Sequence, residues 1–246
     1  MGEMRTFDYA VGACTAAGLR REENQDRYRM TPNGLVVSDG IGGNSPAGGV
    51  MAESACWTIG EMLDTTSLTA EEIVKLANET ICRHGGVISD VCERDARARF
   101  LSSPGAAVCV IRYLEDGYEL AFRGDVLAFL VNSEKVVQLN HPDLDARNRL
   151  TAYLGECDPR IPQRDCIRVN GETVTNSNLV IVSDGVWRFV SLTDIKEICA
   201  SSTASPQDMA MSLVERAGLH DSPDDRTALV CRADAGVHAD VHPLNR

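Results

Sequence analysis

Ala106-Ala107-Val108-Cys109-Val110-Ile111-Arg112-Tyr113 is an apolar run in the middle of a 246-residue chain, and its Val108, Val110 and Ile111 favour a strand. Glu115-Asp116-Gly117 follows as a hairpin turn. Beyond it come residues 118–122, the pair Gly124-Asp125, residues 126–131, the turn Asn132-Ser133-Glu134-Lys135 and residues 136–139. This order predicts a meander of three or four short antiparallel strands.

Outward toward the N-terminus, residues 9–14 and 34–38 read as strands, and Asn44-Ser45-Pro46 as a helix start. Val50, Met51, Ser54, Ala55, Ile59, Met62 and Leu63 recur at helical spacing. Thr69 with Glu72 forms a capping box, and Ile73, Leu76, Ala77, Thr80 and Ile81 continue a stripe. A break is expected near Gly85-Gly86, which leaves residues 87–99 unassigned. Toward the C-terminus, residues 167–169, 179–183 and 227–231 add strands. Ser191 with Asp194 and Ser205 before Pro206 start two helices. No βαβ repeat, linker, internal repeat or low-complexity tract interrupts this order. The expectation is one α+β domain of layered sheets over residues 1–246, with a loose tail at about 234–246.

Lys+Arg is 24 and Asp+Glu is 36, a net charge of −12 that argues against binding nucleic-acid backbones. A hydrophobic content of 43% argues against disorder. No stretch approaches the ~18 consecutive apolar residues of a membrane span, and Met1-Gly2-Glu3-Met4-Arg5 lacks the runs of a signal peptide. The nine cysteines include no C-x-x-C pair, and Cys109 and Cys231 sit in apolar strands as core residues rather than disulfide partners. The compartment expected from this is reducing, hence cytoplasmic.

Chemistry enters through four Asp residues, each at the end of an apolar strand: Val37-Ser38-Asp39-Gly40, Arg123-Gly124-Asp125, Val182-Ser183-Asp184-Gly185 and Asp224-Asp225-Arg226-Thr227. Any one alone is ordinary turn chemistry, since Asp-Gly is a common turn pair. Converging carboxylates repel one another unless a cation sits between them. Mg²⁺ and Mn²⁺ take oxygen ligands and retain waters, and two such ions can share and deprotonate a bridging water. That chemistry suits phosphate ester hydrolysis. The loop Gly40-Ile41-Gly42-Gly43 lacks the lysine of a P-loop and the spacing of a dinucleotide fingerprint.

These segments, with Gly18-Leu19-Arg20-Arg21-Glu22-Glu23-Asn24-Gln25-Asp26 and Asn148-Arg149-Leu150-Thr151-Ala152-Tyr153-Leu154-Gly155, resemble in order and spacing the bacterial metal-dependent serine/threonine protein phosphatases of type 2C. The resemblance runs from about Gly12 to Arg232. It implies a four-layer α/β/β/α sandwich of two central antiparallel sheets flanked by helices. It implies Asp39 as the ligand bridging two Mn²⁺ or Mg²⁺ ions, with the Gly40 carbonyl on the second ion. Asp184 and Asp224 would complete the first ion's shell, and Asp125 would help hold a third, weakly bound ion. Arg21 would bind the substrate phosphate and Asp26 would orient water on the ions, with Gln25 and Asp225 lying behind the ligands. A bridging water or hydroxide would attack phosphorus directly, without a covalent phosphoenzyme.

Several positions depart from the family pattern. Gln25 stands where many members have Glu, Arg188 replaces a common acidic residue, Asp225 replaces Asn and Val126 replaces Ser. Ile41 stands where some members carry a histidine proposed as general acid. The family's flap is shortened to the segment 139–147, which predicts an open cleft. His84, His141 and His220 make no close ligand pair, and His238 with His242 falls in the polar tail.

The leading function is hydrolysis of phosphoserine or phosphothreonine on proteins. The alternatives are a pseudophosphatase acting as a binding module and a phosphatase of small molecules. By family analogy the partners are phosphoproteins made by a cognate Ser/Thr kinase, in one version within type VI secretion control, with no nucleic acid and no membrane.

Overall fold

The computed structural model describes residues 7–42, 46–92, 104–158, 161, 166–175, 177–201 and 203–235. The first strand, β1 (Phe7–Ala16), pairs along its whole length with the last, β10 (Arg226–Ala235). Between them come β2 (Arg27–Thr31), β3 (Gly34–Ile41), α1 (Ala47–Thr65), α2 (Ala70–Cys92), β4 (Gly105–Leu114), β5 (Gly117–Arg123), β6 (Leu127–Val131) and β7 (Val136–Gln138). There follow β8 (Ile167–Asn170), α3 (Gly171–Thr175), β9 (Asn178–Val182), α4 (Asp184–Trp187), α5 (Leu192–Cys199) and α6 (Pro206–Leu219).

The strands form two five-stranded sheets, β1-β10-β9-β6-β7 and β2-β3-β4-β5-β8, antiparallel throughout. Three apolar cores hold four layers together. One lies between the sheets and takes Ala107, Cys109 and Ile111 from β4, with Leu179 and Ile181 from β9. The alternate residues Ala106, Val108 and Val110 of β4 pack against α1 and α2. Val180 and Val182 of β9 pack with Ile195, Met209 and Leu213 of α5 and α6. A strand covered on both faces has no polar face, which is why these strands read as continuous apolar runs. The four-layer α/β/β/α sandwich is therefore the fold of the described residues.

The expected meander is corrected. β4 pairs with β5 and β6 with β7, but β5 and β6 belong to different sheets. Gly124 and Asp125 carry the chain across the sandwich. Gly124 has φ 115°, and a Cβ there would lie 2.4 Å from the Cβ of Ala107, so both the turn and its closeness to β4 require glycine. Local turn signals specify where a strand stops, not which sheet the next strand joins.

β2 was not expected. Its Arg27 and Arg29 pair with Glu53 and Glu61 of α1 at 3.1 and 2.7 Å, while Tyr28 packs on the core between the sheets, so this edge strand is held by charge as well as packing. The backbone of α2 runs unbroken through Gly85-Gly86 to Cys92, and residues 93–99 lie outside the described residues. The tail containing His238 and His242 lies outside them as well. The caps at Thr69, Ser191 and Ser205 form as expected.

The cysteine reading also needs correction. Cys109 and Cys231 are buried free thiols, but Cys82 on α2 and Cys157 form a disulfide, with Cα atoms 5.8 Å apart. They are separated by 75 residues, so no local spacing motif reveals the pair. This bond removes the cysteine argument for a reducing compartment. Among the described residues, no helix is long and apolar enough to cross a membrane.

Residues 139–154 connect β7 toward β8 through hydrogen-bonded turns. Asn140 is buried and bonds the backbone of Val126 and Ala128 at 2.9 and 2.8 Å, and Asp145 caps the turn to Arg149. Asp143, also buried, accepts from the Gly124 N–H at 3.0 Å and so braces the crossover before Asp125.

Candidate active site

The structure brings Asp26, Asp39, Asp125, Asp184, Asp224 and Asp225 to one end of the sandwich, from both sheets. Asp39 lies near the end of β3, opposite Ala107 of β4. Asp184 opens α4 directly after β9, and Asp224 and Asp225 immediately precede β10. The pairing of β6 with β9 sets Leu127 against Val182, so Asp125 and Asp184, each two residues further out, leave the sheet side by side.

The loop from β1 to β2 is fixed by Asp225. Its buried carboxylate accepts from the backbone N–H of Gly18 at 2.9 Å and of Gln25 at 2.8 Å. The backbones of Leu19 and Arg20 also donate to the carbonyls of Ser222 and Pro223, at 3.4 and 3.3 Å. Arg21 is thereby delivered to Asp224, whose Oδ1 accepts from Nε at 2.8 Å and from Nη2. Asp26 is buried at the end of this loop. Its Oδ2 accepts from Ser183 Oγ at 2.7 Å, while Oδ1 is buried and makes no hydrogen bond. Ser183 Oγ in turn accepts from the Thr227 N–H at 2.9 Å, which links β9, β10 and the Asp26 loop.

Arg188 closes the other side. Its Nε pairs with Asp184 Oδ2 at 2.9 Å and its Nη2 donates to Asp125 Oδ2 at 3.2 Å. The guanidinium lies over the ring of Trp187, 4.6 Å from the centroid, and the Trp187 indole N–H donates to the Asp125 carbonyl at 2.8 Å. Asp39 differs from its neighbours: among the described residues nothing donates a hydrogen bond to its carboxylate or pairs with it.

The electrostatics follow from this crowding. Burial, then the carboxylates of Asp26, Asp184, Asp125 and Asp224, push Asp39 well above the usual range. Burial raises Asp26 to about 7, with Asp225 and Asp184 adding to it against the hydrogen bonds from Ser183 and Thr227. Burial, then Asp125 and Asp224, raises Asp184 to about 7, with Arg188 opposing. Burial also raises Asp125, again against Arg188. For Arg21, burial pulls the guanidinium down, but Asp224, with Asp225 and Asp39 behind it, holds it above its ordinary value.

This donor set fits hard divalent cations. Asp39 is an acceptor-only group with no donor among the described residues, and it feels the charge of four other carboxylates. Gly40 lets the backbone pack closely beside it: a Cβ there would lie 2.4 Å from the Gly48 carbonyl oxygen and 2.8 Å from that of Gln25. Among the described residues no group of three or more His, Cys, Asp or Glu side chains forms a ready-made metal shell. Ions of this class commonly keep several waters and use only one or two carboxylates, so a sparse protein shell suits them.

Arg21, Gln25, Asp26, Asp39, Gly40, Asp125, Asp184, Asp224 and Asp225 thus lie at this one end of the sandwich. The sequence reading did not single out Ser183, Asp143 or Trp187. Ser183 lies in the Val-Ser-Asp-Gly repeat at 37–40 and 182–185, but that repeat points to its Asp rather than to its Ser. Asp143 and Trp187 act through backbone groups distant in sequence, which no motif records.

No protein-family model matches the chain, and no curated protein sequence matches it. Solved structures do. The S. agalactiae serine/threonine phosphatase is 18% identical with a TM-score of 0.77, over 92% of this chain and 100% of that one. The serine/threonine phosphatase Stp1 from Staphylococcus aureus is 18% identical with a TM-score of 0.76, over 95% and 98%. The catalytic domain of the serine/threonine protein phosphatase PstP, solved with two manganese ions, is 19% identical with a TM-score of 0.74, over 93% and 99%. Over nearly its whole described length, therefore, this chain has the fold of the bacterial serine/threonine phosphatases, the fold that the resemblance to the type 2C enzymes implied.

Proposed function

We propose that this chain is a divalent-metal-dependent phosphatase acting on phosphoserine and phosphothreonine of proteins, with residues 1–246 as one catalytic domain. The observation that carries the reading is Asp39, a carboxylate with no donor among the described residues whose charge is opposed by Asp26, Asp184, Asp125 and Asp224. Asp39, the Gly40 carbonyl, Asp184 and Asp224 would hold two Mn²⁺ or Mg²⁺ ions. When bound, such ions acidify a shared water and offset phosphoryl charge. Arg21 stands beside Asp224 with a partly exposed side chain, and its forked donors match phosphoryl oxygens. Asp26, held by Ser183, supplies a buried carboxylate that would orient water. Asp225 fixes the loop that carries both Arg21 and Asp26. Gln25 lies behind the ligands, with its backbone N–H on Asp225.

The alternative of a binding module without chemistry is favoured by one observation: the arginines already occupy oxygens of Asp125, Asp184 and Asp224. The test is turnover of an aryl phosphate and of phosphoserine peptides with Mn²⁺, in wild type, Asp39→Asn and Asp184→Asn. Activity that requires Mn²⁺ and is lost in both variants supports the phosphatase. Retention in both sinks it, and Mn²⁺ binding without turnover in wild type points to the binding module. Higher turnover on metabolite phosphates than on phosphopeptides points to small-molecule substrates.

A further inference from the structure

The register of the β6–β9 pair sets Asp125 and Asp184 each two residues beyond the last paired residues, Leu127 and Val182, and one side chain, Arg188, reaches both. Like charges directly opposite on adjacent strands destabilise a sheet, and these two side chains are only 6% and 19% exposed. A cation between them relieves that repulsion. The fold supplies one from one helical turn further along the chain. Arg188 bonds Asp184 at 2.9 Å and Asp125 at 3.2 Å. Its position is held from a third side by the ring of Trp187, which is itself tied to the Asp125 carbonyl.

We propose that the Arg188 guanidinium is a resident counter-cation that takes the place of a metal ion between Asp125 and Asp184, so that divalent cations are confined to the Asp39 side of the cluster. An arginine is always charged and planar, and its Nε and Nη2 donors span two carboxylates at fixed spacing. Asp125 is then a structural anion for Arg188 rather than a metal ligand, which replaces the expectation of a third ion on Asp125. Arg188 meets Asp184 through Oδ2, so Oδ1 would remain to help hold an ion on the Asp39 side. The assignment rests on the phosphatase reading for the Asp39 ions, but not for the Asp125–Asp184 gap.

The test is the number of Mn²⁺ ions bound per chain, measured as free Mn²⁺ by electron paramagnetic resonance during titration. Arg188→Gln leaves two facing carboxylates without a cation and is expected to bind one ion more than wild type. Asp125→Asn in that background is expected to return the count to the wild-type value, and Asp125→Asn alone to leave it unchanged. An unchanged count in folded Arg188→Gln overturns the proposal. So does the loss of an ion on Asp125→Asn alone, a measurement that does not depend on Arg188→Gln folding. Failure of the phosphatase reading looks different: wild type and Asp39→Asn would then bind the same number of ions, while the comparison across Arg188 still reads out separately.

Discussion

Replacing Asp225 by Ala tests whether one carboxylate builds the active-site loop. Its two oxygens accept from Gly18 N–H at 2.9 Å and Gln25 N–H at 2.8 Å, and the side chain is only 3% exposed. Hydrogen bonds to a charged group contribute about 1.5–3 kcal/mol each, so the pair contributes roughly 3–6 kcal/mol. Removing a buried anion near Asp26 also relieves repulsion and desolvation, which returns part of this. The expected net loss is about 2–4 kcal/mol. Asp225→Asn keeps one acceptor and is expected to lose less, about 1–2 kcal/mol. Urea unfolding with a chelator present measures both, free of any contribution from bound ions. Amide exchange at Gly18 and Gln25 should speed up in the Ala variant, and turnover should fall because Arg21 and Asp26 ride on the released loop. If Asp225→Ala unfolds within ~0.5 kcal/mol of wild type, the clamp is not what holds this loop.

Three further outcomes are expected. Asp26 and Asp184 have folded pKa values of about 7, above the unfolded 3.8, so the folded protein holds their protons more tightly. Their contribution to stability is then full below pH ~4 and is lost as pH rises to about 7, with a slope up to about 1.4 kcal/mol per pH unit for each group. Melting curves in chelator from pH 5 to 8 should fall accordingly, and Mn²⁺ should raise Tm more at pH 8 than at pH 5.5. Ser183→Ala leaves the buried Thr227 N–H without its acceptor and removes the Ser183 donor to Asp26, and should cost about 1–3 kcal/mol by denaturant unfolding. Gly124→Ala places a Cβ 2.4 Å from that of Ala107 at a φ of 115°, and should lower stability by about 1–3 kcal/mol with a loss of Mn²⁺-dependent turnover.

The strands most legible in the sequence were those most deeply buried. β4, β6 and β9 are covered on both faces, so their composition alone reveals them. β2 was missed for the converse reason, because the residues that hold it to α1 are the charged Arg27 and Arg29. The helix caps at Thr69, Ser191 and Ser205 were legible because capping is a contact between residues three apart. The Cys82–Cys157 bond and the split of the strand series between two sheets were not, since both depend on partners distant in sequence.

The site divides in the same way. Asp residues at the ends of apolar strands, in the order Asp39, Asp125, Asp184, Asp224, were readable because strand ends are local features. From sequence alone, that order already pointed to a carboxylate cluster, and the flanking motifs pointed to a phosphatase fold. Only the tertiary structure decided how each charge is answered. Arg21 meets Asp224 across 203 residues, Asp225 holds Gly18 across 207, and Ser183 meets Asp26 across 157. Arg188 lies close to Asp184 in sequence, yet its second partner, Asp125, is 63 residues away. A carboxylate's neighbours in space are set by strand register and by the crossover at Gly124, and neither is written in the residues beside it. That is why the sequence located the anions, and the fold left Asp39 as the one without a hydrogen-bond donor among the described residues.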